Sequence, residues 1–394
     1  MQPSKYLRAD VVSMKAYTPG EQINNCTKLN TNECAWGPSP AALNALSQVT
    51  ADQLRLYPSP MCDRLRAAAA EVFSVSANQV LVGNGSDDCL TIIMRSFVLP
   101  GDIVACPWPT YSLYDTLATI QGVGITHVDW LEEVDPTLEG AAAEGGVTGW
   151  HMPVEKLAIS GARIVFVATP NNPSGEPSGV RFKEEGDGVL GGRIRVCVKV
   201  VKVSAIPKLA AHPNILVLRT FSKSYSMAGV YGRAFLFVRK RSSACSVLIA
   251  RTRLSGGRLG LMFGDPELIM HMGKVKDSYN VNGLTQIAGE AALRDRDHFK
   301  WLVSSTLEQR QVLEDFFKSI GWSWPATDAN FMLVDTGSVA RAGAIYERLK
   351  AAGILVRYWG SRPELASKLR VTVGAKESNE KFMQLVKECL KDLA

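Results

Sequence analysis

Short apolar runs, separated by turns rich in glycine, asparagine and proline, punctuate the chain. Residues 80–83 (V-L-V-G), 102–105, 163–169 (R-I-V-F-V-A-T) and 215–218 (I-L-V-L) each predict a buried strand. The first passes through N-G into a helix start, where Ser86, Asp87 and Asp88 are suited to capping. Residues 193–203 hold Arg193, Arg195, Lys199 and Lys202 among valines, which predicts an edge strand with its lysines in water. Residues 265–286 read as an amphipathic helix followed by an asparagine-rich turn. Beyond about residue 295, helices (298–313, 342–353) alternate with strands (329–335, 353–357, 369–374). Residues 130–150, acidic and then glycine-rich, read as a surface excursion, and 1–40 as an arm followed by a turn-rich entry loop.

Composition narrows the class. A chain of 394 residues has room for two or three domains, and 46% hydrophobic with 21% charged residues is ordinary for a globular enzyme. No stretch approaches the roughly 18 apolar residues of a membrane span, and the first twenty residues lack a signal-peptide core. Eight cysteines without C-x-x-C spacing indicate neither a zinc site nor a disulfide framework, so a reducing, cytoplasmic setting is expected. The net charge of +6 is local, because residues 231–257 carry six Lys/Arg and no acid. No aromatic-basic platform accompanies that run, so nucleic acid is not expected as a partner.

Four places suggest chemistry. Lys223 follows Ser222 just past the strand at 215–218. A lysine there is ordinarily a solvated loop residue, but burial disfavours its charge and frees the amine as a nucleophile. Backbone N–H groups at Gly85, Ser86 and Asp87 form an anion site at a helix start, and the absence of G-x-x-x-x-G-K-[ST] argues against a nucleotide loop. Tyr111, after the strand at 102–105, either stacks on a flat ring or packs in the core. Arg357 and Arg370 sit at strand ends; such arginines are usually surface ion pairs, yet a guanidinium fork is the natural clamp for carboxylate or phosphate.

Five segments carry a resemblance: K-L-N-T-N-E (28–33), V-G-N-G-S-D (82–87), P-W-P-T-Y (107–111), P-N-N-P-S-G (170–175) and F-S-K-S-Y-S-M-A-G (221–229). Together they resemble the fold-type-I pyridoxal-phosphate aminotransferases, in particular the histidinol-phosphate aminotransferases. The resemblance implies an α/β fold: an arm and entry loop (1–40), a large cofactor-binding domain with a mostly parallel sheet (41–290), and a smaller α/β domain (291–394). It makes Lys223 the residue that carries pyridoxal 5'-phosphate and then acts as general base and acid. Gly85, Ser86, Asp87, Ser222, Arg258 and Tyr57 would surround the cofactor's phosphate end. Tyr111 would stack on its ring, and Asn172 would bond its phenolic oxygen. Tyr17, Asn32, Arg357 and Arg370 would meet the substrate. Tyr57 is implied to reach the neighbouring subunit's cofactor, hence a homodimer with shared active sites. The implied reaction moves an amino group between L-histidinol phosphate and 2-oxoglutarate. Aromatic-amino-acid aminotransferases and threonine-phosphate decarboxylases are related, so class is better fixed than substrate.

The pattern breaks in three places. Cys34, Ala35 and Trp36 stand where Asn-Pro-Tyr is usual. The motif D-E-x-Y, whose aspartate pairs the cofactor's ring nitrogen, is absent from 186–203, which a reading frame displaced by one base would explain. Tyr231 stands where the phosphate-binding arginine belongs; joining Val230 to Arg258 restores it and marks 231–257 as an insert. Taken literally, the missing acid also predicts a catalytically inactive homologue.

Overall fold

The computed structural model describes residues 6–14, 20–130, 150, 152–176, 204–227 and 258–392, with the backbone of 147–148 and 194–199. Thirteen strands lie among the described residues: β1 (Thr27–Leu29), β2 (Val80–Gly83), β3 (Ile103–Trp108), β4 (Gly124–Asp129), β5 (Val147–Thr148), β6 (Ile164–Thr169), β7 (Ile194–Lys199), β8 (Ile215–Thr220), β9 (Gly260–Phe263), β10 (Trp324–Pro325), β11 (Phe331–Asp335), β12 (Ile354–Tyr358) and β13 (Lys368–Thr372). Seven form one sheet in the order β2-β9-β8-β7-β6-β3-β4. Only β9 runs antiparallel to its neighbours there.

The consecutive apolar residues of β6 and β8 have a simple cause. Ile215, Val217, Val165 and Val167 pack into one core with Leu65, Ala68 and Ala288. Leu216, Leu218, Ile164 and Phe166 pack into another with Ile93, Tyr114 and Ile269. Successive side chains therefore enter opposite cores, and helices cover both faces. A fully buried leucine or isoleucine here is worth roughly 2–5 kcal/mol against alanine.

A second sheet, β1-β12-β13-β11, has one apolar face. Leu29, Val334, Ile354, Val356, Leu369 and Val371 pack on the helices Arg296–Ser319, Val339–Ala351 and Lys376–Asp392. The alternate residues Lys28, Arg357, Arg370 and Thr372 belong to the other face. Arg370, although charged, is 6% exposed. No helix among the described residues is long and apolar enough to cross a membrane.

Three expectations change. β7 pairs with β6 on one side and β8 on the other, so the basic strand is central and not an edge. Its place follows from chain order, which local charge does not report. The helix after β2 begins at Ser86, capped by Gly85 at φ +84° with no side-chain cap bond, so Ser86, Asp87 and Asp88 lie inside its first turn. Residues 265–286 split into the short helix Pro266–Met272 and the start of Gly283–Arg294, and a long helix, Arg296–Ser319, follows. Asn282 and Asp295 each cap a new helix, which interrupts the run.

The flanks of 228–257 are already joined to each other. Phe221 N–H donates to Leu259 O (2.9 Å) and Met227 N–H donates to Phe221 O (3.0 Å). Removing 231–257 is accordingly expected to leave the thermal midpoint unchanged or higher in a melting experiment. A drop of ten degrees or more would show that the segment belongs to the core.

Candidate active site

β3 and β6 are adjacent, but the chain leaves β3 for the edge strand β4 before returning to β6. Such a reversal opens a crevice at the strands' carboxyl ends, the usual ligand position in an open parallel sheet. Tyr111 and Asn172 follow these two strands, Ser86 follows β2, and Lys223 follows β8.

The lysine loop is pinned on both sides of Lys223. Phe221, fully buried, stacks on Tyr225 (4.4 Å), which packs on Phe299 of the long helix (4.8 Å). Arg296 donates to the Tyr225 hydroxyl (3.3 Å). Ser222 N–H bonds Thr220 Oγ1 (3.2 Å), and Ser226 takes a left-handed φ of +54° to close the turn. Lys223 Nζ donates to the carbonyl of Thr31 in the entry loop (2.7 Å). Burial first, and then the positive charge of Arg370, push the Lys223 amine down to about 8; Glu33 opposes this, while Arg258 and Lys28 add to it. A small cleft opens beside the lysine, lined in part by Cys34, Ser224, Thr306, Arg310, Asp328 and Asn330.

A second cluster gathers at the helix start after β2. Arg258 pairs with Asp87 (2.6 Å), and the Tyr111 hydroxyl donates to the other Asp87 oxygen (3.3 Å). Gly260 makes this possible: a Cβ there would lie 2.5 Å from the Gly85 carbonyl carbon. The close approach brings Arg258 over Gly85 despite the residues that intervene after Met227. Without a capping side chain, the first-turn N–H groups and Arg258 together suit a phosphate.

The third cluster joins the two sheets. Arg370 donates from Nη1 to Asn172 Oδ1 and from Nη2 to Asn30 O (2.7 Å). A guanidinium only donates, so Asn172 presents its oxygen to Arg370 and keeps Nδ2 as a donor. Arg357 stands opposite Arg370 in the β12–β13 ladder. Asn32, buried with φ +56°, bonds through its N–H to Thr372 Oγ1 (3.1 Å), and its Oδ1 accepts from the same hydroxyl (3.2 Å). It fastens the entry loop to β13.

Other residues have no sequence signal or a faint one. The Thr31 carbonyl holds Lys223, and a backbone acceptor leaves no trace in sequence. Asn171, fully buried, bonds Thr110, Pro109 O and Ser174 and so shapes the loop presenting Asn172; the doubled asparagine is its signal. Tyr57 belongs to none of the clusters: it is 82% exposed and stacks on Tyr279 (4.6 Å). Tyr17 lies outside the described residues.

Pyridoxal 5'-phosphate is the group against which these residues can be tested. The phosphate cradle, the depressed lysine, Tyr111 and Asn172 fit it. The ring nitrogen is not provided for: no Asp or Glu occurs between Asp187 and Asp265, a span that contains β7. Glu176, beyond Asn172, is pushed up to about 8 by burial and then by Asp328, so at pH 7 it is a neutral acid. Glu33 is engaged by Lys28 (2.7 Å) and by the Thr31 hydroxyl (2.8 Å).

Comparison with known proteins defines the class. Residues 24–177 and 187–388 match the family described as aminotransferase class I and II. The chain belongs to that family. It is 33% identical over 396 residues to histidinol-phosphate aminotransferase 1 of Trichormus variabilis, covering 98% of this chain and 100% of that one. It is 34% identical over 383 residues to histidinol-phosphate aminotransferase of Synechocystis, covering 93% of each. Among solved structures it is similar to histidinol-phosphate aminotransferase from Sinorhizobium meliloti in complex with pyridoxal-5'-phosphate, with TM-score 0.76, 22% identity and coverage of 99% and 98%. That likeness, and one to Thermus thermophilus aspartate aminotransferase (TM-score 0.70, 19% identity), places the fold among these aminotransferases.

Proposed function

We propose that this chain transfers an amino group between L-histidinol phosphate and 2-oxoglutarate, using pyridoxal 5'-phosphate carried by Lys223. One observation carries the reading. An enclosed amine with a lowered pKa lies within the influence of two guanidinium centres, Arg258 at a helix start and Arg370 on the small sheet. One anion site suits the cofactor's phosphate, the other the anionic end of a substrate. When bound, the cofactor supplies an electron-withdrawing ring that acidifies the C–H bond beside the substrate's amino group.

The chain's own residues have separate tasks in this reading. Gly85, Ser86, Asp87, Ser222 and Arg258 hold the phosphate end, Tyr111 covers the ring, and Asn172 Nδ2 donates to its phenolic oxygen. Arg357 and Arg370 hold the substrate's anion, with Asn32 and Tyr17 at the entry loop. Lys223 Nζ, when not bonded to the cofactor, would be the base that takes the substrate's proton and the acid that gives it back; a value of about 8 suits both roles near neutral pH. Residues 1–40, 41–290 and 291–394 act as entry loop, cofactor-binding part and substrate-clamping part. The chain works as a cytoplasmic homodimer, with Tyr57 crossing to the neighbour's cofactor phosphate. Exposed Leu54, Leu56, Tyr57 and Tyr279 support this as an apolar patch of the kind that pairs.

Turnover with histidinol phosphate, phenylalanine and threonine phosphate tests the reading. The expected order places histidinol phosphate at least about tenfold ahead in kcat/KM, or 1.4 kcal/mol; a clear preference for phenylalanine would refute the choice of donor. The acid-free central strand favours a second reading, an inactive homologue, which predicts no turnover with any donor at saturating cofactor. A transcript that encodes D-E-x-Y near codon 194 and lacks codons 231–257 would remove the ground for it.

A further inference from the structure

Arg357 and Arg370 are direct partners across antiparallel β12 and β13. Side chains so opposed have Cβ atoms about 4.5–5.5 Å apart, and like charges there repel. Alternation along each strand turns both away from the apolar core that takes Val356, Leu369 and Val371. One aromatic ring serves both cations: the guanidinium carbons of Arg357 and Arg370 each lie 5.2 Å from the centroid of Trp359. Arg370 has further anchors in Phe331 (5.2 Å), Asn30 O and Asn172.

We infer that Trp359 is the positioning residue that holds the two guanidiniums side by side as a seat for a doubly charged anion, a phosphate monoester or a dicarboxylate. The inference rests on the reading above that these arginines take the substrate's anionic end. The chemistry favours an aromatic ring over the alternatives. A carboxylate at 359 would neutralise the pair and compete with the ligand. An aliphatic side chain would fill the space without attracting either cation. A π face attracts both through its quadrupole and occupies none of their N–H donors.

The test is binding of inorganic phosphate to the cofactor-loaded protein by titration calorimetry at fixed ionic strength, with KM and kcat for the phosphorylated donor. Loading the cofactor first keeps phosphate out of the cradle at Ser86. Trp359→Leu is expected to raise the phosphate Kd and the donor KM about tenfold, with kcat within about twofold. Trp359→Phe, which keeps a ring, should stay within about threefold of the parent. Trp359→Met, of similar volume but longer and unbranched, should behave as Leu and stands in should that variant fail to fold. The inference is overturned by Leu or Met variants that bind phosphate like the parent, by a Phe variant as weak as Leu, or by equal losses in kcat and kcat/KM. A parent protein that binds no phosphate, while Trp359→Leu leaves the KM for 2-oxoglutarate unchanged, refutes the seat as well. If the parent instead shows no amino transfer but the phosphate effects appear, the proposed function fails and the positioning role stands.

Discussion

Replacing Lys223 by alanine is expected to lower amino transfer by at least about 10²–10⁴-fold, the span usual for a positioned acid–base group, before covalent attachment of the cofactor is counted. The protein should stay folded. Burial lowers the lysine's pKa from 10.5 to about 8 in the native state, so between these values the unfolded chain binds more protons. Stability therefore rises with pH from about 8 to 10.5 and is penalised below 8. Alanine removes that penalty, and its thermal midpoint at pH 7 should equal or exceed the parent's. The parent should also take up pyridoxal 5'-phosphate about tenfold faster per pH unit up to about 8, then level off as the amine becomes neutral. Absorbance of the bound cofactor follows both effects. Persistent turnover in the alanine variant, or uptake that ignores pH, would take Lys223 out of the chemistry.

Arg370→Leu should have the second largest effect, a loss of about 10²–10³-fold in kcat/KM carried mainly by KM for the anionic donor. Three groups depend on this side chain: the Asn30 carbonyl, the Asn172 amide oxygen and whatever anion binds beside Arg357. Leucine leaves the buried Asn30 carbonyl and the half-buried Asn172 oxygen without this donor, so some stability is lost as well. Arg370→Lys separates charge from geometry, since an ammonium keeps the charge and loses the fork that spans Asn30 and Asn172. It should recover folding and only part of the affinity. Steady-state kinetics on the three proteins, with melting curves beside them, decide the matter; equal KM values in all three would remove Arg370 from the substrate site.

Both residues were singled out in the sequence by the motifs around them and the resemblance these carry, because a loop lysine and a strand-end arginine taken alone read as solvated. Strands β6 and β8 announce themselves by consecutive apolar residues, 164–168 and 215–218, and the polar loops that follow then lie at the sheet's end. Lys223 and Asn172 inherit their positions from that logic. Arg357 and Arg370 were legible only through the resemblance, since a strand-end arginine by itself reads as a surface ion pair; that the small sheet packs its apolar core on one face agrees with their place on the other. The misreadings share a cause. Charge along 193–203 reports local composition, whereas the place of β7 is set by its pairing with β6 before it and β8 after it. Gly85 was outcompeted as a cap by hydroxyl and carboxylate neighbours because what favours glycine there is a φ of +84° with Arg258 packed over it, and neither shows in the local sequence. The Thr31 carbonyl and the shared ring of Trp359 are products of packing and carry no motif.

β8 has one more consequence. All four residues from Ile215 to Leu218 are fully enclosed, with two covered cores on either side and paired strands along both edges. A segment of this kind opens to solvent only when the whole unit opens, whereas loops and chain ends open at far lower free energy. Lys223 is suspended three residues beyond its end and is clamped again through Phe221 and Tyr225. The amine therefore stands on a stiff stalk. Misplacement by about 1 Å can cost about 100-fold in rate, and here that misplacement is tied to global unfolding.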